Sequence, residues 1–239
     1  CKKEKISGTI SVSGAWALYP MAVKWGEEFQ KIHPEVKIDI SAGGAGKGMA
    51  DALAGVADIG MVSRDVYPEE VQKGAWYVAV TKDAVVPVIN TNNPVLKDLV
   101  ARGVKKESLL GIWLTGAVKT WGDLIGKPGQ AEQINVYTRS DACGAAEVWA
   151  KYLGKKQEDL LGTAVYGDPG IAQAVQRDAL GIGFNNINFA YDQKTRKPNP
   201  GIAILPIDVN GNGALDANEN FYGTLDQIDK AIAEGNYPS

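Results

Sequence analysis

A cluster of glycines between two apolar runs constrains the fold of this chain most strongly. Four glycines fall within residues 43–48. Alternating apolar residues predict a strand at 36–40 before them, a helix is predicted at 49–56 after them, and a second strand at 58–62. This order is a βαβ unit, in which glycines let a ligand approach the backbone and the helix start offers unpaired N–H groups. The pattern therefore predicts an anion site at the start of the helix.

Two named nucleotide motifs do not fit this loop. A Walker loop needs Ser or Thr directly after its lysine, whereas Lys47 is followed by Gly48. A dinucleotide fingerprint needs a third glycine at the position that Met49 occupies. A general anion cradle remains, and the alternative is a glycine turn that serves only close packing of helix on strand.

Composition limits the class of protein. At 239 residues the chain can form one or two domains without help from disulfides or metals. A formal net charge of −3 argues against a nucleic-acid partner. No apolar stretch is long enough to cross a bilayer.

The two cysteines suggest different roles. Cys1 is followed by the polar run KKEK, which is typical of a bacterial lipoprotein after signal-peptide removal, with residues 1–8 as a tether. We therefore expect lipidation at Cys1 and a periplasmic or other extracytoplasmic location on a bacterial membrane; an incidental terminal cysteine is the alternative. Cys143 is then left as a free thiol.

A second strand-to-helix turn resembles the first in its physical design. A strand at 134–138 ends in Arg139, small residues follow, and a helix is predicted from Ala146. Two β-rich runs, at 75–90 and 201–207, are predicted to cross between domains. Further helices are predicted at 19–33, 95–102, 106–115 and 225–234, with a strand at 8–13 and with Asp168 capping a helix that runs through Val175.

These patterns predict an α/β protein of two lobes, each a mostly parallel sheet with flanking helices. Lobe 1 comprises residues 9–82 and 203–239, and lobe 2 comprises residues 83–202. Anion-binding turns of the two lobes are expected to face each other across a cleft.

The segments SVSGAWALYPMAVKW, AGGAGKGMADALAGVADIGMVSR, TKDAVVPVINTNNPV, TWGDL and TRSDACGAAE occur in the order and at about the spacing found in the phosphate-binding proteins of bacterial ABC importers. The chain resembles this family over most of its length. The resemblance implies a type II periplasmic-binding-protein fold that captures phosphate and delivers it to the membrane subunits of an ABC permease. It also implies a protein that is not an enzyme, and we expect a monomer.

The resemblance implies a ligand site built from four segments. Its members are Ala15, Trp16, Ala17, Gly44, Ala45, Gly46, Lys47, Ser63, Arg64, Arg139, Cys143, Gly144 and Ala145.

Several hydroxyl groups of the family's pattern are missing from this site. Trp16, Ala45, Cys143 and Ala145 replace hydroxyl residues, so the backbone N–H groups and the cations Lys47, Arg64 and Arg139 must carry the binding. Phosphate is the leading ligand, and molybdate or tungstate, sulfate, an organic carboxylate or a phosphonate are alternatives.

Residues 208–219 match a calcium-loop pattern at every defined position, D-x-[DN]-x-[DN]-G-x₅-E. Side-chain and main-chain oxygens at alternating positions supply the ligands that Ca²⁺ prefers. The predicted ligands of a structural calcium ion are Asp208, Asn210, Asn212, Ala214 (through its carbonyl), Asp216 and Glu219.

Two other functions are alternatives to transport. An enzyme would use Cys143 as a nucleophile and Arg139 to hold an anion. The one histidine, His33, lies at a predicted helix end, which disfavours this reading. A lipid-anchored adhesion protein stabilised by calcium is the other alternative.

Overall fold

The computed structural model describes residues 6–127 and 129–238. The predicted lipidation at Cys1 lies outside these residues. The chain divides into two compact units: unit 1 comprises Cys1–Val80 and Asp141–Gly144, and unit 2 comprises Thr81–Ser140 and Ala145–Ser239.

Unit 1 is built on a parallel three-stranded sheet in the order β2-β1-β3. Its strands are β1 (Gly8–Gly14), β2 (Val36–Ala42) and β3 (Ile59–Met61), and its helices are α1 (Tyr19–Ile32), α2 (Ala45–Leu53) and α3 (Pro68–Gln72). The predicted strand–helix–strand order is therefore confirmed. Helix α1 ends at Ile32, two residues before Pro34, because a proline disfavours helical geometry for the residue that precedes it.

Helix α2 packs very closely on β1 and β3. A Cβ atom on Gly48 would lie 2.5 Å from the Met61 carbonyl oxygen and 2.7 Å from the Gly14 Cα atom. Only glycine fits at this position, so one glycine of the cluster is required by helix-on-sheet packing.

Unit 2 contains a five-stranded sheet in the order β7-β6-β8-β4-β9 and a two-stranded sheet of β5 and β10. The strands are β4 (Val85–Asn90), β5 (Val104–Lys105), β6 (Asn135–Arg139), β7 (Thr163–Val165), β8 (Gly181–Asn186), β9 (Ile202–Ile204) and β10 (Ile207–Asp208). In the larger sheet β4 is antiparallel to both of its neighbours, and the other four strands share one direction. The prediction of a mostly parallel sheet is confirmed.

The remaining helices belong to unit 2, except for Gly144 at the start of α7, which lies in unit 1. They are α4 (Leu96–Arg102), α5 (Lys106–Leu110), α6 (Trp121–Ile125), α7 (Gly144–Tyr152), α8 (Gly167–Arg177), α9 (Ile187–Ala190) and α10 (Leu225–Glu234). A single π-helical turn, Gly111–Thr115, continues α5. Val86 and Val88 of β4 share a buried cluster with Ile171 of α8 and Ile228 of α10.

The assignment of residues 203–239 to lobe 1 is wrong. Strand β9 pairs with β4 of unit 2, and Leu225 and Ile228 of α10 are buried in the core of unit 2. The run at 201–207 therefore does not return to unit 1, because its apolar side chains and its backbone are satisfied within unit 2. The short segment Asp141–Gly144, predicted as part of lobe 2, belongs to unit 1.

The predicted β-rich crossing at 75–90 is a strand only from Val85 onward. Residues 76–82 form no regular element, and Trp76 is 86% exposed. Their β-propensity finds no partner strand in the described chain, and propensity without pairing does not make a strand.

Of the helices in the described chain, none combines the length and the apolar character that a membrane span requires.

Candidate functional site

The carboxyl end of β1 organises the first part of the site. The Gly14 carbonyl accepts hydrogen bonds from the amides of Gly43 and Gly44 at 2.9 and 3.1 Å, and the Ala15 amide donates to the Met61 carbonyl at 2.9 Å. The ends of β1 and β3 and the start of α2 are therefore tied together by the backbone alone.

The start of α2 is covered by the segment 141–144, which comes from a distant part of the sequence but belongs to the same unit. The Gly46 amide donates to the Ala142 carbonyl at 3.2 Å. A Cβ atom on Gly44, whose φ is +94°, would lie 2.6 Å from that carbonyl oxygen. The glycines at 44 and 46 thus let two backbone segments touch. The Gly46 amide, predicted as an anion donor, already has a protein acceptor.

Two other amides of this helix start remain available. The amides of Ala45 and Lys47 have no hydrogen-bond acceptor within residues 6–127 and 129–238. Both belong to the first turn of α2, where N–H groups lack helical acceptors and carry the positive end of the helix dipole. N–H groups in this position can serve as donors to a small anion.

Ser63 brings a hydroxyl group to the same part of unit 1. A Cβ atom on Gly144 would lie 2.2 Å from both the carbonyl oxygen and the Oγ of Ser63, so the two residues are in direct contact. Segments 14–17, 43–47, 63–64 and 141–144 therefore converge within unit 1, and their role in binding a ligand stays a prediction.

Lys47 is directed to neighbours that sequence reasoning did not consider. Its Nζ donates to Ser13 Oγ at 3.0 Å and forms an ion pair with Asp51. The hydrogen bonds from Lys47 and Ser13 lower the pKa of Asp51. These groups line a pocket together with Asp39. The pocket therefore contains two carboxylates, those of Asp39 and Asp51, which make it unsuited to an anion. The ammonium of Lys47 is thus neutralised by a carboxylate of its own unit.

Arg64 is also held by a carboxylate. Its guanidinium makes two parallel hydrogen bonds to Glu70, Nη2 to Oε1 at 2.6 Å and Nη1 to Oε2 at 2.9 Å. It also lies over the Tyr67 ring, 4.3 Å from the centroid. The hydrogen bond from Arg64 is the main cause that lowers the pKa of Glu70. This geometry gives Arg64 a role in fastening α3 to the segment that follows β3.

Arg139 ends β6 in unit 2, where its Nη1 lies 2.6 Å from Asp168 Oδ2. Both side chains are 0% exposed. The Asp168 carboxylate also accepts from the Asn186 amide at 2.9 Å, from Asn186 Nδ2 at 3.0 Å and from Asn185 Nδ2 at 3.2 Å. The prediction that Asp168 caps α8 is wrong: it lies within the first turn of the helix, and its side chain binds Arg139.

The sequence held a signal for this buried network that was missed. Strand β8 begins with an apolar run and ends in Asn185 and Asn186, and Arg139 ends the neighbouring parallel strand β6. Because the carboxyl ends of parallel strands lie at the same edge of a sheet, this pattern predicts that Arg139 lies close to Asn185 and Asn186.

The remaining residues of the predicted site are four small buried residues and one tryptophan. Ala15, Ala17, Cys143 and Ala145 are buried, and Trp16 is half-buried with its ring 6.3 Å from that of Tyr19. Ala145 falls in unit 2, directly after the segment 141–144. Cys143 is a free, buried thiol.

The predicted calcium loop follows β10 in unit 2. Asp208 accepts from the amides of Gly211 and Gly213, each at 2.8 Å, and Glu219 Oε1 accepts from those of Val209 and Asn210 at 3.0 and 3.1 Å. Asp208 and Glu219, the first and last positions of the pattern, therefore hold the loop backbone through hydrogen bonds to its amides. The Ala214 amide donates to Asn212 Oδ1 at 2.8 Å, and the Ala214 side chain is exposed.

Comparison with known proteins addresses the family and the fold. A model of the family described as "PBP superfamily domain" matches residues 2–239. The chain is 28% identical over 192 residues to the phosphate-binding protein PstS of Bacillus subtilis, which covers 80% of this chain and 61% of that protein. The chain therefore spans less than two thirds of the length of this curated relative.

Solved structures show the same fold. A phosphate ABC transporter substrate-binding protein from Clostridium perfringens, solved with bound phosphate, superposes with a TM-score of 0.71 at 27% identity, over 84% of this chain and 76% of that one. An ABC-type phosphate transport receptor from Vibrio cholerae gives a TM-score of 0.59 at 21% identity, over 84% and 76% of the two chains. The second likeness supports the fold alone.

Proposed function

Because the chain belongs to the PBP superfamily, we propose that it is an extracytoplasmic solute-binding protein that captures phosphate for an ABC importer. The curated relative is named for phosphate binding, and the Clostridium perfringens structure contains phosphate. In this chain the ligand site is the start of α2 with its neighbouring segments in unit 1.

The observation that carries the proposal is the pair of unpartnered amides at this helix start. Ala45 and Lys47 present N–H groups, and Ser63 adds a hydroxyl group on a segment that converges with theirs. A tetrahedral oxyanion has enough acceptor oxygens to satisfy such donors together. Oriented N–H groups recognise phosphate without a free cation, as at other helix starts.

The three cations of the site have a supporting role in this proposal. Lys47, Arg64 and Arg139 each form an ion pair with a carboxylate of their own unit. The affinity should then depend only weakly on ionic strength, because screening acts on free charges more than on short hydrogen bonds. The proposal includes delivery to the membrane subunits of a permease. It assigns no catalysis, since Cys143 is buried and His33 caps the end of α1.

Isothermal titration calorimetry of the dialysed chain tests the proposal. The panel is phosphate, sulfate, molybdate, a phosphonate and small carboxylates, each at low and high salt. We expect one-to-one phosphate binding that changes little with salt. Binding of another panel anion alone would replace phosphate as substrate, and absence of heat from the whole panel with folded protein would overturn the proposed function.

A matched pair of glycine variants connects binding to the site. Gly144→Ala would push a methyl group into Ser63, whereas Gly129→Ala meets no atom within 4 Å. We expect loss of phosphate binding in the first variant and unchanged binding in the second. Equal binding in both would show that the converging segments of unit 1 do not form the site.

A further inference from the structure

We propose that residues 208–219 bind one calcium ion that fastens the β5–β10 sheet of unit 2. This loop takes no part in the phosphate site proposed above. The ligands are the side-chain oxygens of Asp208, Asn210, Asn212, Asp216 and Glu219, together with the Ala214 carbonyl. Their types and spacing meet every defined position of the calcium-loop pattern, with glycine at the sixth position as that pattern requires.

A second observation is independent of the pattern: the loop buries negative charge without a cation. Asp208 is 1% exposed and Glu219 is 4% exposed. In the described part of the chain, no Lys, Arg or His side chain forms an ion pair with Asp208, Asp216 or Glu219. Buried carboxylates are costly unless they are paired or coordinate a metal. The nearby ammonium of Lys105 donates instead to the Gly211 carbonyl.

Two asparagine side chains indicate where the ion would lie. Asn210 Nδ2 and Asn212 Nδ2 both donate to Asp216 Oδ2, at 2.8 and 2.9 Å. Three side chains therefore converge on one point already. The oxygens of these amide groups accept main-chain N–H groups, Asn210 Oδ1 from Asn212 at 2.9 Å and Asn212 Oδ1 from Ala214 at 2.8 Å, and each oxygen keeps a second lone pair for a cation.

The ligand chemistry favours calcium over transition metals. Among the described residues, no three His, Cys, Asp or Glu side chains are grouped so as to hold a metal, so Asp208, Asp216 and Glu219 would have to draw closer together when an ion binds. The loop depends on amide and main-chain oxygens, and such all-oxygen sets suit Ca²⁺. Magnesium needs a smaller and stricter octahedral site, so it should compete poorly.

The position of the loop gives the ion a structural effect. Asp208 ends β10, which pairs with β5, and the Leu215 amide donates to the Ala101 carbonyl in α4 at 3.4 Å. Beyond the loop, Tyr222 is buried and its carbonyl accepts from the Tyr191 hydroxyl at 2.9 Å. An ion that rigidifies residues 208–219 would therefore stabilise both the β5–β10 sheet before the loop and the segment around Tyr222 after the loop.

The test is calcium titration of the metal-free chain, followed by calorimetry and by thermal unfolding. We expect one-to-one binding with a Kd of about 10⁻⁴ M, typical of extracellular calcium modules. At 5 mM Ca²⁺ we expect the unfolding temperature to rise by about 5 °C, and 5 mM Mg²⁺ should produce much less. Calcium should also slow proteolytic cleavage within the loop.

Two variants make the test specific. Glu219→Gln removes one charge of the predicted bidentate ligand and should weaken calcium binding at least tenfold. Asp192→Asn is the matched control, because Asp192 also accepts two backbone amides in a turn but lies outside the loop. If Glu219→Gln fails to fold, Asp216→Asn replaces it, since Asp216 is only half-buried.

Absence of calcium heat and of any thermal shift up to 10 mM would overturn the proposal. An equal response to calcium in the Glu219→Gln and Asp192→Asn variants would do the same. Phosphate titrations in the presence of a calcium chelator separate the two proposals, because loss of calcium binding leaves the donors of unit 1 in place.

Discussion

Arg139 and Asp168 form an ion pair from which water is excluded: Nη1 lies 2.6 Å from Oδ2, and both side chains are 0% exposed. Asn185 and Asn186 supply the further hydrogen bonds that a buried carboxylate needs. The pair joins the end of β6 to the first turn of α8 within unit 2.

Removal of Asp168 should destabilise the protein severely. Asp168→Ala removes the buried carboxylate that pairs with the Arg139 guanidinium, and we expect a loss of about 3–5 kcal/mol in the free energy of unfolding. Urea unfolding followed by circular dichroism measures this loss. The control is Asp98→Ala, which breaks an exposed pair with Lys127 and should cost less than about 1 kcal/mol. Similar losses in both variants would contradict the buried-pair argument.

A methyl group at Gly44 should disrupt the contact between α2 and Ala142. The new Cβ would lie 2.6 Å from the Ala142 carbonyl oxygen, at a residue whose φ is +94°. We expect Gly44→Ala to lower the free energy of unfolding by roughly 2–3 kcal/mol and to abolish phosphate binding. Gly55→Ala is the control, since Gly55 also has positive φ but meets no atom within 4 Å. It should lose only about 1 kcal/mol and bind phosphate normally.

Loss of the Ser63 hydroxyl should weaken anion binding without unfolding the protein. A hydrogen bond to a charged ligand contributes about 1.5–3 kcal/mol, so Ser63→Ala should raise the phosphate Kd by roughly 10- to 100-fold. The measurement is calorimetric titration at constant salt. Ser41→Ala, which alters an exposed serine at the end of β2, should leave the Kd unchanged. An unchanged Kd in Ser63→Ala would remove Ser63 from the site.

Stability should fall as the pH rises toward neutrality because of Asp83. Burial, with Asp168 and Asp229 as further negative charges, raises the pKa of Asp83 to about 7 from its ordinary 3.8. Its Oδ2 is buried and makes no hydrogen bond within the described residues. The native state therefore holds this proton more tightly than the unfolded chain does. The stabilisation is complete below pH 3.8 and is lost as the pH rises to about 7, at up to roughly 1.4 kcal/mol per pH unit.

The variant Asp83→Asn should flatten this part of the pH profile and be more stable than the parent chain at pH 8. Urea unfolding between pH 4 and pH 8 provides the comparison. Asp123→Asn is a useful contrast, because hydrogen bonds from Thr120 lower the pKa of Asp123 and give the opposite slope. A parallel profile for Asp83→Asn and the parent would show that folding does not raise the pKa of Asp83.

Local patterns in the sequence were sufficient to predict most of the helices and strands. The alternation at 36–40 and the apolar spacing of 225–234 each depend on neighbours within a few residues, and β2 and α10 appear where those patterns predict them, whereas α2 begins at Ala45, inside the glycine cluster, and not at Met49. The turn 139–145 was recognised by the same logic. Periodicity and turn chemistry are local properties, so the chain itself carries them.

Partner choice was decided only in the tertiary structure. Lys47, Arg64 and Arg139 look equally available for an anion in the sequence, yet Asp51, Glu70 and Asp168 hold them in the folded chain. The docking of Ala142 on Gly46, and the pairing of β9 with β4, join residues nearly a hundred positions or more apart. Such contacts depend on which surfaces are buried together, and local sequence patterns contain no record of that choice.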